Sequence, residues 1–436
     1  MSSELPKVLV VTINAWRDNT GINALIELFK VWDKDRLAQI YTRAALPNTK
    51  ICSNIFQISE NAVMRSIIFR KTKTGKIMKA DRDFEDDDIK ASEKEEKLYD
   101  KKSKIKRSWI MKYSREIVWK LGKWQTKELD SFIDNFSPDV LFFTIYSSIY
   151  MCVIQYYIIK RTKKPAVCYI WDDNYTFKAC GFRPMDYLQR IFLRKAIRNV
   201  VSSCDKMFVV APKMKEEYDR IFGVDSIVLT KGIDYSNIVY DDKPGNKPLR
   251  MVYTGKLYLG RWKSLASIAN AFGEINKDST KITLDIYSKE NIQPSVLKKL
   301  NRNGSTFRGG VTMDEVLAIQ ATADIVVFVE SVDWRYKNFA RLSFSTKLTD
   351  YFKSGKCIFA IGGKDTAPID YLIKNDCAAV ATSYREIKKQ IQTLVNNPET
   401  IKEYGRRSFE CGRKNHNAAD IEKKLRNTIS EVYKNG

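Results

Sequence analysis

Three groups of residues in this chain have the types and spacing that chemistry on a charged substrate would need. The first is Ser345-Thr346-Lys347, with Asp350 one turn further on. Ser345 and Thr346 are natural N-caps, and Leu348, Tyr351 and Phe352 fall on one helical face. Gly355 is placed to end that helix before the apolar run Cys357–Ile361. A helix start carrying Ser, Thr and Lys gathers free amides, hydroxyls and a cation at one spot, which suits an anionic group such as a diphosphate. Asp350 could accept hydrogen bonds from a ribose diol. Capped helices that bind nothing are also common in α/β proteins, so this stretch needs the others beside it.

The second group follows the strand Met251–Thr254: Gly255, Lys256, Arg261 and Lys263. Cations at a strand-to-helix turn can surround a phosphate, and Gly255 permits close backbone approach. The third group is acidic. Asp172 and Asp173 end the strand Ala166–Trp171, and Glu330 ends the strand Ile325–Val329. Ligands of open α/β sheets collect at these carboxyl edges. Gly21, in the loop after the first strand, belongs to the same edge and is expected to face a substrate, together with Asp173. The only histidine is His416, near the C-terminus. A histidine base, a Cys-His pair or a Ser-His-Asp triad is therefore not expected.

The elements that must position these residues alternate between strand and helix. Apolar runs at Val8–Ile13, Val140–Phe143, Ala166–Trp171, Lys206–Val210 and Ser226–Thr230 read as strands of a first domain. Met251–Thr254, Ile282–Tyr287, Ile325–Val329, Cys357–Ile361 and Ala378–Ala381 read as strands of a second. Helices are expected over Ile22–Trp32 and Pro212–Phe222, and Ile421–Tyr433 reads as a helix packing back across both domains. Val140 to Ile159 is uncharged and long enough to span a bilayer, but its tyrosines, serines and Gln155 divide it into a strand and a helix capped by Ser147.

Composition narrows the partners. The chain has 436 residues, 75 Lys and Arg against 52 Asp and Glu, and a formal charge of +23. That balance attracts polyanions: nucleic acid, an anionic membrane, or phosphorylated small molecules. The basic residues are not interleaved with a nucleic-acid reading motif, so no nucleic acid is expected, although a basic nucleic-acid-binding protein remains an alternative class. The eight cysteines have no Cys-x-x-Cys spacing and read as buried thiols of a reducing compartment, with no metal expected. Asp86–Asp88 reads as part of a solvated charge run. Residues 101–124 are basic and rich in tryptophan, and two readings stand: a membrane-interface helix, or a core-packing helix with a solvated basic face. Pro6 and Lys7 lead directly into a strand, so a cytoplasmic placement is expected, with peripheral contact at the inner face of the membrane.

Together these stretches resemble the GT-B glycosyltransferases, in particular the retaining group called family four. Val209–Asp234 resembles the segment leading into the interdomain linker. Val252-Tyr-Thr-Gly-Lys-Leu, continued by Arg261-Trp-Lys-Ser-Leu, resembles the Gly-Arg…Lys-Gly motif that holds the donor diphosphate. Phe344-Ser-Thr-Lys-Leu-Thr-Asp-Tyr-Phe, continued by Gly-Lys-Cys-Ile, resembles the family's Pro-Ser-Lys-x-x-Glu-Tyr…Gly-Lys-Pro-Ile donor stretch. The likeness covers nearly all of the second domain and is looser in the first.

The resemblance implies two Rossmann-like doubly wound domains with an interdomain cleft. Residues 1–238 would form the acceptor side, with a charged and amphipathic insertion at 65–130. A linker would follow at 239–249, the nucleotide-sugar domain at 250–415 and the returning helix at 416–436. Lys256, Arg261 and Lys263 would hold the phosphates, Ser345, Thr346 and Lys347 the diphosphate at the helix start, and Asp350 the ribose. Asp172 and Glu330 would face the donor sugar as the catalytic acids. The chain departs from the pattern in two places. Leu342 stands eight residues before Asp350, where the family has a glutamate, and Asp172-Asp173 replaces a common His-Asp. The implied activity is metal-free transfer of a sugar from a nucleoside diphosphate to a saccharide or lipid-linked saccharide, in surface polysaccharide or glycoconjugate synthesis. Two alternatives stay open: a non-catalytic module of the same fold that binds sugar nucleotides, and the other glycosyltransferase fold, with Asp172-Asp173 holding manganese.

Overall fold

The computed structural model describes residues 4–18, 24–78, 108–240, 245–334 and 336–436, with a few positions between 80 and 96. Gly21, Asp86–Asp88, Lys101–Arg107 and the side chain of Trp109 lie outside the described residues. The first domain is built on an eight-stranded sheet: β1 (Val8–Thr12), β2 (Leu37–Tyr41), β3 (Asn54–Ile58), β4 (Gly75–Met78), β5 (Val140–Thr144), β6 (Ala166–Ile170), β7 (Lys206–Val209) and β8 (Ile227–Val228). Their order is β4-β3-β2-β1-β5-β6-β7-β8, and β4 alone runs antiparallel. The second domain holds β9 (Leu249–Thr254), β10 (Ile282–Tyr287), β11 (Ser305–Gly309), β12 (Ile325–Val329), β13 (Cys357–Ile361) and β14 (Ala379–Ala381), in the order β11-β10-β9-β12-β13-β14.

Continuous apolar strands such as β1, β5, β6, β12 and β13 are buried along their whole length, because helices cover both faces of each sheet. In both sheets the chain starts mid-sheet, winds outward one way, then crosses back to wind the other. This leaves one crevice per domain at the strands' carboxyl ends, between β1 and β5 and between β9 and β12. In the second domain the crevice is a real opening. β9 and β12 pair only at Ile325–Met251 and Val326–Val252, and diverge beyond.

The uncharged stretch after Asp139 is indeed a strand followed by a helix, Ile149–Thr162. Among the described residues no helix is long and apolar enough to cross a membrane. Ser148, rather than Ser147, starts this helix, and Glu116 does the capping. The Glu116 carboxylate accepts from the amides of Ile149 and Tyr150 at 2.9 and 2.8 Å. Glu116 belongs to helix Ser108–Leu121, whose Trp119 stacks flat on Tyr150 at 4.4 Å. Trp119 and Trp124 are therefore core residues, although Ile117 and Leu121 stay exposed.

The segment read as an insertion also supplies β4 and the first turn of helix Lys127–Phe136, which continues past it and packs Phe132 against Phe56 of β3. Four strands are absent from the expectation: β2, β3, β4 and β11. The last helix, Ala418–Asn435, returns to the first domain and packs on β5 and β6, burying Ile421, Leu425, Ile429 and Val432. Lys206 and Glu431 close that contact at 3.2 Å.

Candidate active site in the interdomain cleft

The two crevices face each other across a cavity of about 770 Å³. From the first domain it is lined by loops after β1, β5 and β6, including Trp16, Tyr146, Trp171 and Asp172. From the second it is lined by Arg261, Glu330, Ser345 and Thr346. The topology therefore gathers at one place residues that stand up to about 330 positions apart in the chain.

On the second-domain wall, Arg261 starts helix Arg261–Ile275 after Gly260, whose φ of +78° suits a residue without a side chain. The Arg261 guanidinium meets the Glu330 carboxylate at 2.9 Å, with both side chains largely buried. Burial opposes the charge of Arg261, but Glu330 outweighs it and holds the guanidinium above its ordinary value.

Helix Thr346–Ser354 points its amino end into the cavity. Ser345 is its N-cap and accepts from the Lys347 amide at 3.4 Å, and Gly355 closes the far end with φ +63°. Lys347 lies behind the Arg261–Glu330 pair with its ammonium 5.6 Å from the Tyr253 ring centre. Burial, then repulsion from Arg261, pulls its pKa down to about 8, against the partial support of Glu330. Gly255 explains how the lysine fits, since a Cβ there would stand 2.0 Å from the Lys347 ammonium.

The remaining expected donor residues stand further out. Lys256 is exposed and sits 5.5 Å from the Tyr258 ring centre. Lys263 is ion-paired with Asp333 at 2.7 Å and 43 % exposed. Asp350 is paired with Lys231 at 3.1 Å; Lys231 lines the cavity, while Asp350 does not. The two adjacent aspartates diverge. Asp172 faces the cleft and accepts from the Ser343 hydroxyl at 2.5 Å. Asp173 is buried and takes its bonds from Tyr218 at 3.0 Å, from the Thr176 amide and hydroxyl, and from Arg341 at 3.2 Å. The pair does not present two oxygens to one point, as a shared metal would require. Among the described residues no three His, Cys, Asp or Glu side chains are grouped as a metal site.

Arg341 escaped the sequence reading. It is buried between Asp173 at 3.2 Å and Glu217, to which both of its terminal nitrogens donate, and it ties the loop before helix 346–354 to the first domain. Its partners lie 168 and 124 residues away, so no local pattern marks it. The cleft aromatics Trp16, Tyr146, Tyr169 and Trp171 were likewise unmarked. They sit at strand ends and look like core residues until the second domain is set opposite them.

No family model matches this sequence, and no curated protein matches it. Solved structures do resemble it. HepE of Anabaena in complex with UDP superposes with a TM-score of 0.60 at 11 % identity, covering 98 % of this chain and 100 % of its own. Sucrose-phosphate synthase of Thermosynechococcus elongatus gives 0.58 at 9 % identity, over 98 % and 99 % of the two chains. The α,α-trehalose 6-phosphate synthase of Burkholderia multivorans gives 0.58 at 8 % identity, over 98 % and 97 %. These neighbours are GT-B glycosyltransferases, and together with the two facing parallel sheets they identify the fold of this chain as GT-B.

Proposed function

We propose that this protein is a glycosyltransferase that moves a sugar from a nucleoside diphosphate to a saccharide or lipid-linked saccharide bound in the cleft. The transfer is retaining, needs no resident metal and serves the synthesis of a surface polysaccharide or glycoconjugate. One observation carries this reading. Arg261, Glu330 and the amino end of helix 346–354 converge on one wall of the cavity, with Lys347 close to that pair but outside the lining. Lys347 there is a cation whose charge is opposed by its surroundings.

A diphosphate at the helix start would be met by free amides, the hydroxyls of Ser345 and Thr346, and two cations. It would also add negative charge near Lys347, beside that of Glu330 and Asp350. Charge growing on the departing diphosphate is then stabilised by groups already in place, the effect through which preorganised sites accelerate such reactions most. Glu330, held by Arg261, and Asp172, held by Ser343, face the cavity from opposite domains, where they would flank a donor sugar. That HepE binds UDP and UDP-glucose supports a uridine nucleotide as the first donor to try.

Thermal denaturation with UDP-, GDP-, ADP- and CDP-sugars, with and without manganese, tests the reading. A rise in Tm with one nucleotide family, independent of metal and abolished by Lys347→Met, is expected. No rise with any of them would remove the donor site.

A further inference from the structure

Helix Pro184–Val201 buries Leu193, Ile197, Val200 and Val201 yet carries a second apolar stripe outside. The inward face carries Arg190, whose guanidinium donates to the carbonyls of Asp173 and Ala179 at 3.3 Å each. The outward face of its first two turns carries Met185, Leu188, Ile191 and Phe192, at the three-and-four spacing of one helical stripe, with Ile191 54 % and Phe192 56 % exposed. Phe182, just before the helix, extends the stripe and meets Trp334 of the second domain at 6.1 Å; both are about two-thirds exposed. Scattered apolar residues on a surface need no explanation, but a contiguous stripe on a helix does.

We propose that this stripe docks on the surface of an anionic lipid bilayer, and that the acceptor is consequently an amphipathic, lipid-anchored saccharide. Charge selects the occupant. Between Lys178 and Ser203 the chain has six cations (Lys178, Arg183, Arg190, Arg194, Lys195 and Arg198) and one acid, Asp186. Lys178, Arg183 and Lys195 are exposed around the apolar stripe, the arrangement of an interfacial helix with apolar residues in the acyl boundary and cations among anionic headgroups. A second copy of the chain fits less well. A two-fold contact would set these cations against themselves, on a chain whose net charge is already +23.

Position links the surface to the cleft. Phe177 stacks on Tyr187 at 6.2 Å and opens the short turn 177–179, which packs against the turn 337–340. Phe339 and Ala340 of that second turn line the cavity. An apolar rim therefore runs from the stripe to the cleft mouth. A docked protein would hold that mouth at the depth of the headgroups, where the sugar of a membrane-anchored acceptor lies. This identification of the acceptor rests on the glycosyltransferase reading, whereas the docking does not.

Flotation of the full chain with vesicles of phosphatidylcholine, alone or mixed with phosphatidylglycerol, tests the docking. The protein is expected to float with the anionic vesicles only. Leu188→Ser/Ile191→Ser/Phe192→Ser is expected to lower the bound fraction about tenfold, and Lys195→Glu severalfold. Both variants should keep the wild-type Tm and its rise with nucleotide, which separates lost docking from lost folding. Wild-type protein that stays with the soluble fraction, or a triple variant that floats like wild type, overturns the proposal. So does a wild-type dimer in sedimentation that the triple variant converts to a monomer without vesicle binding. Docking that persists beside the absence of any nucleotide response supports the surface while sinking the glycosyltransferase reading.

Discussion

The two walls of the cleft differ in what dominates them. The second-domain wall is charged: a buried Arg261–Glu330 pair with Lys347 close to it, and the amino end of helix 346–354. The first-domain wall is richer in aromatics, with Tyr146 and Tyr169 both edge-on to Trp171, and places Asp172, Glu96, Arg17 and Lys231 around them. Both walls arise from the same chain-reversal geometry, so fold alone does not separate them. What separates them is what each must hold. Phosphates need fixed positive charge, whereas sugar rings are positioned by apolar faces and a few placed polar groups. The charged wall also carries the strain, because its cations crowd one another while the aromatic wall is simply packed.

That contrast can be broken first at Arg261. Arg261→Met would leave the Glu330 carboxylate, 7 % exposed, without its cation. Removing one partner of a buried pair costs about 3–5 kcal/mol, read as a drop in urea stability and accompanied by loss of nucleotide binding. An unchanged unfolding midpoint would mean that the pair does not organise the wall.

Lys347→Met should move stability the other way. Folding lowers the lysine from 10.5 to about 8, so between these values the unfolded chain binds the proton more tightly and stability rises with pH. The penalty is fully present below pH 8 and gone above pH 10.5. Removing the lysine is therefore expected to stabilise the unliganded protein by up to about 3 kcal/mol at neutral pH, with no gain at pH 10.5, while weakening nucleotide binding. Equal gains at both pH values would exclude a titrating lysine as the cause.

Trp171→Ala probes the opposite wall. It should raise the acceptor KM by about 1 kcal/mol of lost aromatic contact, and leave nucleotide affinity as it was. A shift in nucleotide affinity alone would reverse the assignment of the walls.

The smallest effect is expected at Lys263→Ala. This lysine faces solvent and is already paired with Asp333, so both stability and nucleotide affinity should change by about 0–1 kcal/mol. A larger loss of affinity would show that the pair opens to admit the phosphate.

The sequence disclosed the strands that are apolar throughout and hid those that are not. β2 carries Gln39 at its centre and β3 carries Gln57 one residue from its end, and each interrupts the apolar run. Both glutamines are buried and satisfied by other loops. Gln39 accepts from the Trp16 amide and donates to Thr12 and the Asn14 carbonyl; Gln57 donates to the Arg43 carbonyl. A buried amide of this kind reads as surface until its partners are known. β4 fails for a different reason: it is a four-residue edge strand with two exposed residues at its centre, too short for any period.

Helix Thr346–Ser354 was legible because its signals are local. Ser345 before the first turn and Gly355 after the last act within a few residues, and the structure places both caps there. The fate of the Asp172-Asp173 pair was not legible. Neighbours in sequence on an irregular turn point different ways, and only the second domain supplies Ser343 to one and Arg341 to the other.

By itself, then, the sequence determined the alternation of buried strands and helices, the capped helix, the concentration of cations around it, and that the chain holds a single histidine, His416. All of these are carried by spacing within one element or by composition. Tertiary structure alone decided which of the cations meet, that Gly255 makes room for a lysine, that Asp173 is spent on holding the domains together, and that aromatics of the first domain face the charges of the second. Those outcomes depend on contacts between residues about 70 to 170 positions apart, within the second domain for the cations and Gly255, and across the cleft for Asp173 and the aromatics.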